Sequence, residues 1–503
     1  MVTPSLLPIL ACVVPVLAGC LVLAVGARRR RFCEGVALLV GAFLAVVGAW
    51  AAWTAARGDV LVAWNNELRV DALSALMMLV VGVLGFLAIV YSIRYADHGH
   101  MMDGAGMGGP ARRPSVLYAL VLLFLGTMTW AVVTNNIVML YVAVEATTLS
   151  SGLLVAFIWD RRALEAGYKY LILLTVGITF ALLGCVVVYA AGAATGALAG
   201  SETLMISRIR EVAPLIPRPT ALIAVALLIA GFGTKAGLVP FHVWLPDAHA
   251  EAPAPVSVLL SGVMIKVALY ALARTISIFF PTIPQLTLFA VALGCLTMVV
   301  GVVLAMTQDD LKRLLAYSSV SQMGYVLAGV ALGTYLGCYG GLFHLMNHAL
   351  FKALLFMGAG AIVFATGARR ISEMGGLARR MPITAACFLV GALAIAGFPP
   401  FNGFMSKLTI YLALARAGLW WAVVVAVLTS LLTMVALIRP VFRIFWAAPS
   451  VDSEQLDRAH EVPVSLTAPM ITLAALCLLL GVVPALVFPL LDRAATVLAV
   501  LAP

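Results

Sequence analysis

Charge is what this 503-residue chain has least of: Asp, Glu, Lys and Arg make up 10% of it, against about 25% in a soluble domain. That shortage excludes an ordinary water-soluble globule. Glycine-rich dinucleotide fingerprints and P-loops are both missing, so no nucleotide-handling motif is visible. The eight cysteines (12, 20, 33, 185, 295, 338, 387 and 477) are scattered through apolar sequence. None has CxxC, haem-attachment or iron–sulfur spacing, which leaves no visible means of carrying electrons. The uncharged start lacks a basic n-region, so no cleaved signal peptide is expected.

What is present is apolar sequence: 64% of residues are hydrophobic and the mean hydropathy is +1.11. Windows of about 20 apolar residues, enough to cross a bilayer, recur along the whole chain. They predict fourteen spans, at roughly 5–27, 34–56, 71–95, 115–134, 136–158, 168–192, 221–247, 253–277, 285–307, 313–334, 337–365, 383–412, 419–446 and 465–490. The odd-numbered loops hold nineteen Lys and Arg, the even loops and the tail eight. The positive-inside rule then places both termini outside. It also accounts for the net charge of +10 without a nucleic-acid partner.

Four lysines belong to no loop: Lys235, Lys266, Lys352 and Lys407 fall well inside spans, and Glu145 is the carboxylate at comparable depth. Glu34 and Asp71 lie at span edges, where they can be wet. A charge at the bilayer centre costs roughly 2.5–3.5 kcal/mol on insertion scales. A lysine near a helix end can snorkel to the interface. Lys266 is too deep for that, about 20 Å into its span at 1.5 Å per residue. His344, His348 and Lys352 are spaced i, i+4, i+8 and share one helical face. A single histidine in a helix is usually a packing residue, but three titratable groups on one intramembrane stripe fit a proton wire. Lysine suits the same work, since desolvation can bring an ammonium close to neutrality.

The backbone is broken beside these lysines. GLVPFHVWLP places Pro240 and Pro246 just after Lys235, and AGFPPFNGFMSK places Gly397, Pro399, Pro400 and Gly403 just before Lys407. Irregular backbone at membrane depth is tolerated only where protein packs it or a wet cavity solvates it. Paired broken helices in corresponding positions of two halves mark an ion site in transporters. Spans 4–8 and 9–13 can form two such halves, with spans 7 and 12 as equivalents. At the cytoplasmic end, His242, Asp247, His249 and Glu251 are candidates for proton uptake, with helix capping and turn formation as the alternative role for the DAHAEAP residues.

VPFHVWLPDAHAEAPAPVSVLLSGVMIK, QDDLKRLLAYSSVSQMGYVLAG, HLMNHALFKALLFMGAGAI and GFPPFNGFMSK together resemble the antiporter-like proton-conducting membrane subunits. That family holds the pump subunits of complex I, the large membrane subunits of group 4 (hydrogenase-4 type) hydrogenases and the large Mrp antiporter subunits. The resemblance runs over roughly residues 70 to 445. It implies an all-α polytopic membrane protein of about fourteen helices, with two inverted five-helix repeats and broken helices 7 and 12. The chain then divides into 1–112 (helices 1–3), 113–280 (first repeat), 281–446 (second repeat) and 447–503 (a cytoplasmic loop and helix 14). By motif match, Glu145 and Lys235 resemble the family's coupling pair and Lys266 its bridging lysine. His344, His348 and Lys352 resemble its central relay, and Lys407 its gate to the outer half-channel.

The function so implied is proton translocation in a redox-driven respiratory complex, complex I-like or of the hydrogenase type. The alternative is an Mrp-type Na+/H+ antiporter subunit without a redox partner. No cofactor or metal is expected in this chain; iron–sulfur, flavin or nickel–iron groups would belong to peripheral redox subunits. Homologous antiporter-like subunits are the other expected partners, and the bacterial or archaeal cytoplasmic membrane the expected location. A scaffold that has lost transport is disfavoured, because unneeded intramembrane charges would be a standing cost.

Overall fold

Apolar runs of this length satisfy their backbone inside hydrocarbon only as helices, and the computed structural model, which describes residues 2–95, 114–448 and 459–500, is built from them. The helices are α1 Leu7–Val25, α2 Arg30–Ala56, α3 Ala72–Tyr95, α4 Pro114–Val133, α5 Ile137–Val155, α6 Arg161–Ala194 and the short α7 Ile206–Val212. Next come α8 Arg218–Ala236, α9 Trp244–Glu251, α10 Ala254–Leu259, α11 Ile265–Ile276, α12 Pro284–Met306, α13 Leu311–Ala331 and α14 Tyr335–Thr366. The chain continues through α15 Pro382–Ala396, α16 Asn402–Arg416, α17 Trp420–Phe445, α18 Val464–Val482 and α19 Phe488–Leu498.

Among the described residues, thirteen helical segments are long and apolar enough to cross a membrane, and the broken pair α15–α16 makes a fourteenth span. Arg112, Arg113 and Arg458, counted above as loop charges, lie outside the described residues. The fold is not purely helical. Val2–Pro4 (β1) pairs in parallel with Val60–Ala63 (β2), which pairs antiparallel with Leu68–Val70 (β3). The tight link between β2 and β3 runs through three residues in the left-handed region, Trp64, Asn65 and Asn66.

The core of the molecule is the run from α10 to α11 together with α13 and α14. In Ala254–Phe279 the most apolar window is 100% buried, against 33% in Trp420–Phe445 at the periphery. Small residues bring the helices close. Where α12 crosses α13, a Cβ on Gly294 or Gly324 would stand 2.8 or 2.4 Å from a carbonyl of the facing helix.

Both predicted breaks are present. Span 7 stops at Ala236, passes Gly237 in the left-handed region (φ 74°) and restarts at Trp244. Span 12 stops at Ala396, passes Gly397 (φ 81°) and restarts at Asn402. A left-handed C-cap is a position that glycine takes without Cβ strain, so AGL and AGF end their half-helices in the same way. Span 8 holds a third irregularity that the sequence did not announce, a π-helical turn at Leu260–Met264.

Candidate functional site

The deep lysines are all buried: Lys235 is 1% exposed, Lys266 and Lys352 0%, and Lys407 2%. Among the described residues no carboxylate comes within ion-pair distance of any of the four; neutral oxygens hold them instead. Lys235, in the last turn of α8, donates to the Val144 carbonyl, Thr147 Oγ1 and Thr148 Oγ1 of α5, the last at 2.6 Å. Its three N–H donors are thereby used. Glu145 is only partly buried and does not touch Lys235. Thr148 stands between them, accepting from Lys235 and donating to Glu145 Oε2 at 3.2 Å. Thr175 of α6 donates to the other carboxylate oxygen at 3.2 Å.

The same arrangement recurs in the second half. Lys352 of α14 donates to the Leu315 carbonyl and Ser318 Oγ of α13, both at 2.6 Å. In each case the ammonium bridges a carbonyl at position i and a hydroxyl at i+3, and that hydroxyl bonds back to the same carbonyl.

Lys266 takes its oxygen from the π turn. The Ile265 amide bonds to the Leu260 carbonyl instead of to Ser261, four residues back. Lys266 Nζ then donates to the Ser261 carbonyl. Ser261 Oγ lies 2.9 Å from Ser319 Oγ, next in sequence to the Ser318 that holds Lys352. Toward Lys235, Ser151 Oγ bonds the Thr147 carbonyl and lies 2.6 Å from Tyr170 Oη, which reaches Met264 Sδ at the π turn.

His344 and His348 lie on α14 with ring centroids 6.3 Å apart, both fully buried. His344 bonds Gln322 Oε1 through Nε2 and Ser406 Oγ through Nδ1, each at 3.0 Å. Neither ring nitrogen of His348 has a partner among the described residues. Ser406 immediately precedes Lys407, whose Nζ turns back to the last carbonyls of α15, Ile395 at 2.8 Å and Ala396 at 3.3 Å, and to Ser430 Oγ at 2.9 Å. Carbonyls at a helix C-terminus lack intrahelical donors and carry partial negative charge. The break after α15 thus supplies the counter-dipole for Lys407.

Lysines 235, 266, 352 and 407 and both histidines therefore fall on one buried polar axis through α5, α8, α11, α13, α14 and α16. The four uptake candidates do not form one cluster. His242 sits in the span-7 break beside Tyr317, at 6.3 Å between ring centroids. Asp247 lies between Lys169 (3.7 Å) and Arg313 (3.1 Å). Glu251 pairs with Arg369 at 3.1 Å. His249 is fully buried and stacks on Phe356 at 4.6 Å, with both ring nitrogens lacking a protein partner. None of the four caps a helix; the N-cap of α10 is Pro253.

Three buried charges were misplaced by span counting. Asp71, expected to be wet, is 6% exposed and bonds Arg274 at 2.7 and 2.9 Å. Arg274, counted with the loops, lies within α11, eight residues after Lys266 and on the same face. That i, i+8 spacing could have flagged it. Lys312, which span counting leaves in a loop, is the second residue of α13 and donates to the Ala252 carbonyl at 2.9 Å. With Glu251 and Arg369 it lines a cavity of about 240 Å³ at the end of α9. Among the described residues, no group of three or more His, Cys, Asp and Glu is placed to hold a metal ion.

The sequence and the fold are both shared with known proteins. Residues 134–433 match the membrane domain family described as NADH:quinone oxidoreductase/Mrp antiporter. Residues 60–100 match the N-terminal region of complex I chain 5. The chain belongs to this antiporter-like family. NADH-quinone oxidoreductase subunit N of Desulforudis audaxviator is 35% identical over 434 residues, which cover 83% of this chain and 82% of that protein. Hydrogenase-4 component B of Escherichia coli is 34% identical over 82% of this chain, but the match spans only 62% of that longer protein. A chain of the Mrp complex from Dietzia sp. DQ12-45-1b superposes with a TM-score of 0.87 at 26% identity, covering 98% of this chain and 97% of that one. The chain is thus a multi-pass, antiporter-like membrane subunit whose relatives work inside multi-subunit membrane complexes.

Proposed function

We propose that this chain translocates protons as a membrane subunit of a redox-driven respiratory complex, complex I-like or of the group 4 hydrogenase type. One observation carries the proposal: four buried ammonium groups and two buried histidines share one axis, and among the described residues the ammonium groups are held by neutral oxygens, with no carboxylate touching them. A cation so placed can release its proton without first breaking an ion pair.

Glu145 and Lys235 form the switch that loads the proton, coupled through the Thr148 hydroxyl. Lys266 passes it on through the Ser261–Ser319 contact toward Lys352. His348 and His344 carry it along α14, and Ser406 links His344 to the Lys407 segment, the gate to the outer half-channel. His242, Asp247, His249 and Glu251, with Lys312, serve proton uptake from the cytoplasmic side. Spans 4–8 and 9–13 act as two inverted repeats. Both termini lie outside the cytoplasmic membrane of a bacterium or archaeon. Iron–sulfur, flavin or nickel–iron groups reside in peripheral redox partners, and this chain contributes none. The subunit N and hydrogenase-4 relatives support the redox-driven setting.

The likeness to the Mrp chain favours a second reading, Na+/H+ antiport with no redox partner. The two are separated by isolating the native complex through a tag on this chain and reconstituting it in vesicles. Proton movement driven by an electron donor, with iron–sulfur proteins co-purifying, supports the first. Movement driven only by a Na+ gradient supports the second. A complex that moves protons under neither condition refutes both.

A further inference from the structure

The face opposite the start of α2 carries a cavity of about 310 Å³, roughly the share of ten liquid waters. Four arginines line it, Arg69, Arg210, Arg274 and Arg493, against two carboxylates, Asp59 and Asp71. Asp71 is committed to Arg274, so the remaining wall is cationic. Three of the guanidiniums are held in place rather than waving in solvent. Arg210 donates to the Val497 and Leu498 carbonyls at the end of α19, and Arg69 donates to Asn66 Oδ1 at 3.3 Å. Arg274 is nine-tenths buried, and its Nε–H has no partner among the described residues. A buried, charged donor without an acceptor is costly, and here it belongs to a residue of the cavity wall.

Guanidiniums from four separate segments, three of them fixed, converge at the end of the membrane spans and fit an oxyanion with several acceptor oxygens better than a single carboxylate. Arginine donates to phosphate in a two-pronged geometry; basic pockets between membrane helices bind lipid headgroups on the cytoplasmic side, and the same chemistry is offered here at the opposite end of the spans. We propose that this cavity binds a phosphate group, either the phosphodiester headgroup of an anionic phospholipid or free inorganic phosphate. It takes no part in the lysine–histidine axis, and its occupancy is independent of whether protons move.

The test uses the full chain in its native complex, delipidated in detergent, beside the double variant Arg69→Gln/Arg493→Gln. Both arginines are at least partly exposed and stand outside the Asp71–Arg274 pair, so the variant is expected to fold. Native mass spectrometry reads retention of added phosphatidylglycerol, with phosphatidylcholine as control; a thermal-shift titration reads inorganic phosphate. The proposal expects at least tenfold weaker phosphatidylglycerol retention in the variant if the source is lipid. It expects the same loss in the phosphate titration if the source is the free ion. Arg69→Lys/Arg493→Lys, which keeps the charges, should retain part of the binding. Equal behaviour of wild type and the Gln variant toward both probes, or equal retention of phosphatidylcholine, overturns the proposal.

Discussion

Replacing Thr148 with valine keeps the shape of the side chain and removes the one hydroxyl that joins Lys235 to Glu145. Two contacts to charged groups disappear, at 2.6 Å to the ammonium and 3.2 Å to the carboxylate. Lys235 keeps the Val144 carbonyl and Thr147 Oγ1, so the ammonium stays placed while its link to Glu145 is cut. A hydrogen bond to a charged group contributes about 1.5–3 kcal/mol. If that link is made in the rate-limiting loading step, its loss slows translocation about 10- to 150-fold at 1.4 kcal/mol per decade. The assay is initial-rate acidification of vesicles carrying the intact complex, with assembly checked by co-purification of its partner subunits. Thr148→Ser restores the hydroxyl and should recover most of the rate, which a mere packing defect would not explain. A valine variant that assembles and pumps at the wild-type rate would refute the bridging role. Glu145 and Lys235 would then communicate through space or through another group.

Other outcomes follow from the same geometry. Lys407→Glu sets a carboxylate against the Ile395 and Ala396 carbonyls, so it should lose pumping as fully as Lys407→Ala; a rate for the glutamate variant well above the alanine one would show that any ionisable group suffices. Asp71→Asn leaves Arg274 as an uncompensated buried charge and should cost about 3–5 kcal/mol of stability, read by thermal denaturation of the complex. For Asp71, burial favours the neutral acid, but the Arg274 charge outweighs it and holds the carboxyl below its usual range. A depressed carboxyl pKa stabilises fully above the unfolded value and loses that contribution as pH falls through the folded one. The difference between wild type and Asp71→Asn should therefore be flat from pH 5 to 8, roughly, and shrink below about pH 4; a difference that changed between pH 5 and 8 would contradict the pairing. At Gly403 an added Cβ would stand 1.8 Å from the Ala394 carbonyl, so Gly403→Ala should force the α15–α16 break apart and reduce yield of the assembled complex, and normal yield would mean that the break tolerates rearrangement.

The spans were legible because bilayer thickness sets a length that hydropathy alone reveals. The breaks were legible because AGLVP and AGFPP combine a left-handed glycine with prolines that cannot continue a helix. The lysines announced themselves through depth and isolation. What surrounds them did not. Thr147, Thr148 and Ser318 are ordinary residues of membrane helices, and their part as ammonium ligands depends on how α8 and α14 pack against α5 and α13. Asp71 and Arg274 stand 203 positions apart, each near a span end, so no local pattern joins them. The π turn arises in LLSGVM, an apolar run whose periodicity does not distinguish it from α-helix. Strands of three or four residues near the first two spans are too short to give an alternating pattern.

Proton loading is assigned to a buried ammonium at the end of α8, Lys235. The decisive measurement is the rate of proton uptake into vesicles by the intact complex carrying Lys235→Ala. The variant complex should assemble with its full set of partners and pump no protons. Pumping at the wild-type rate by the alanine complex would contradict that assignment.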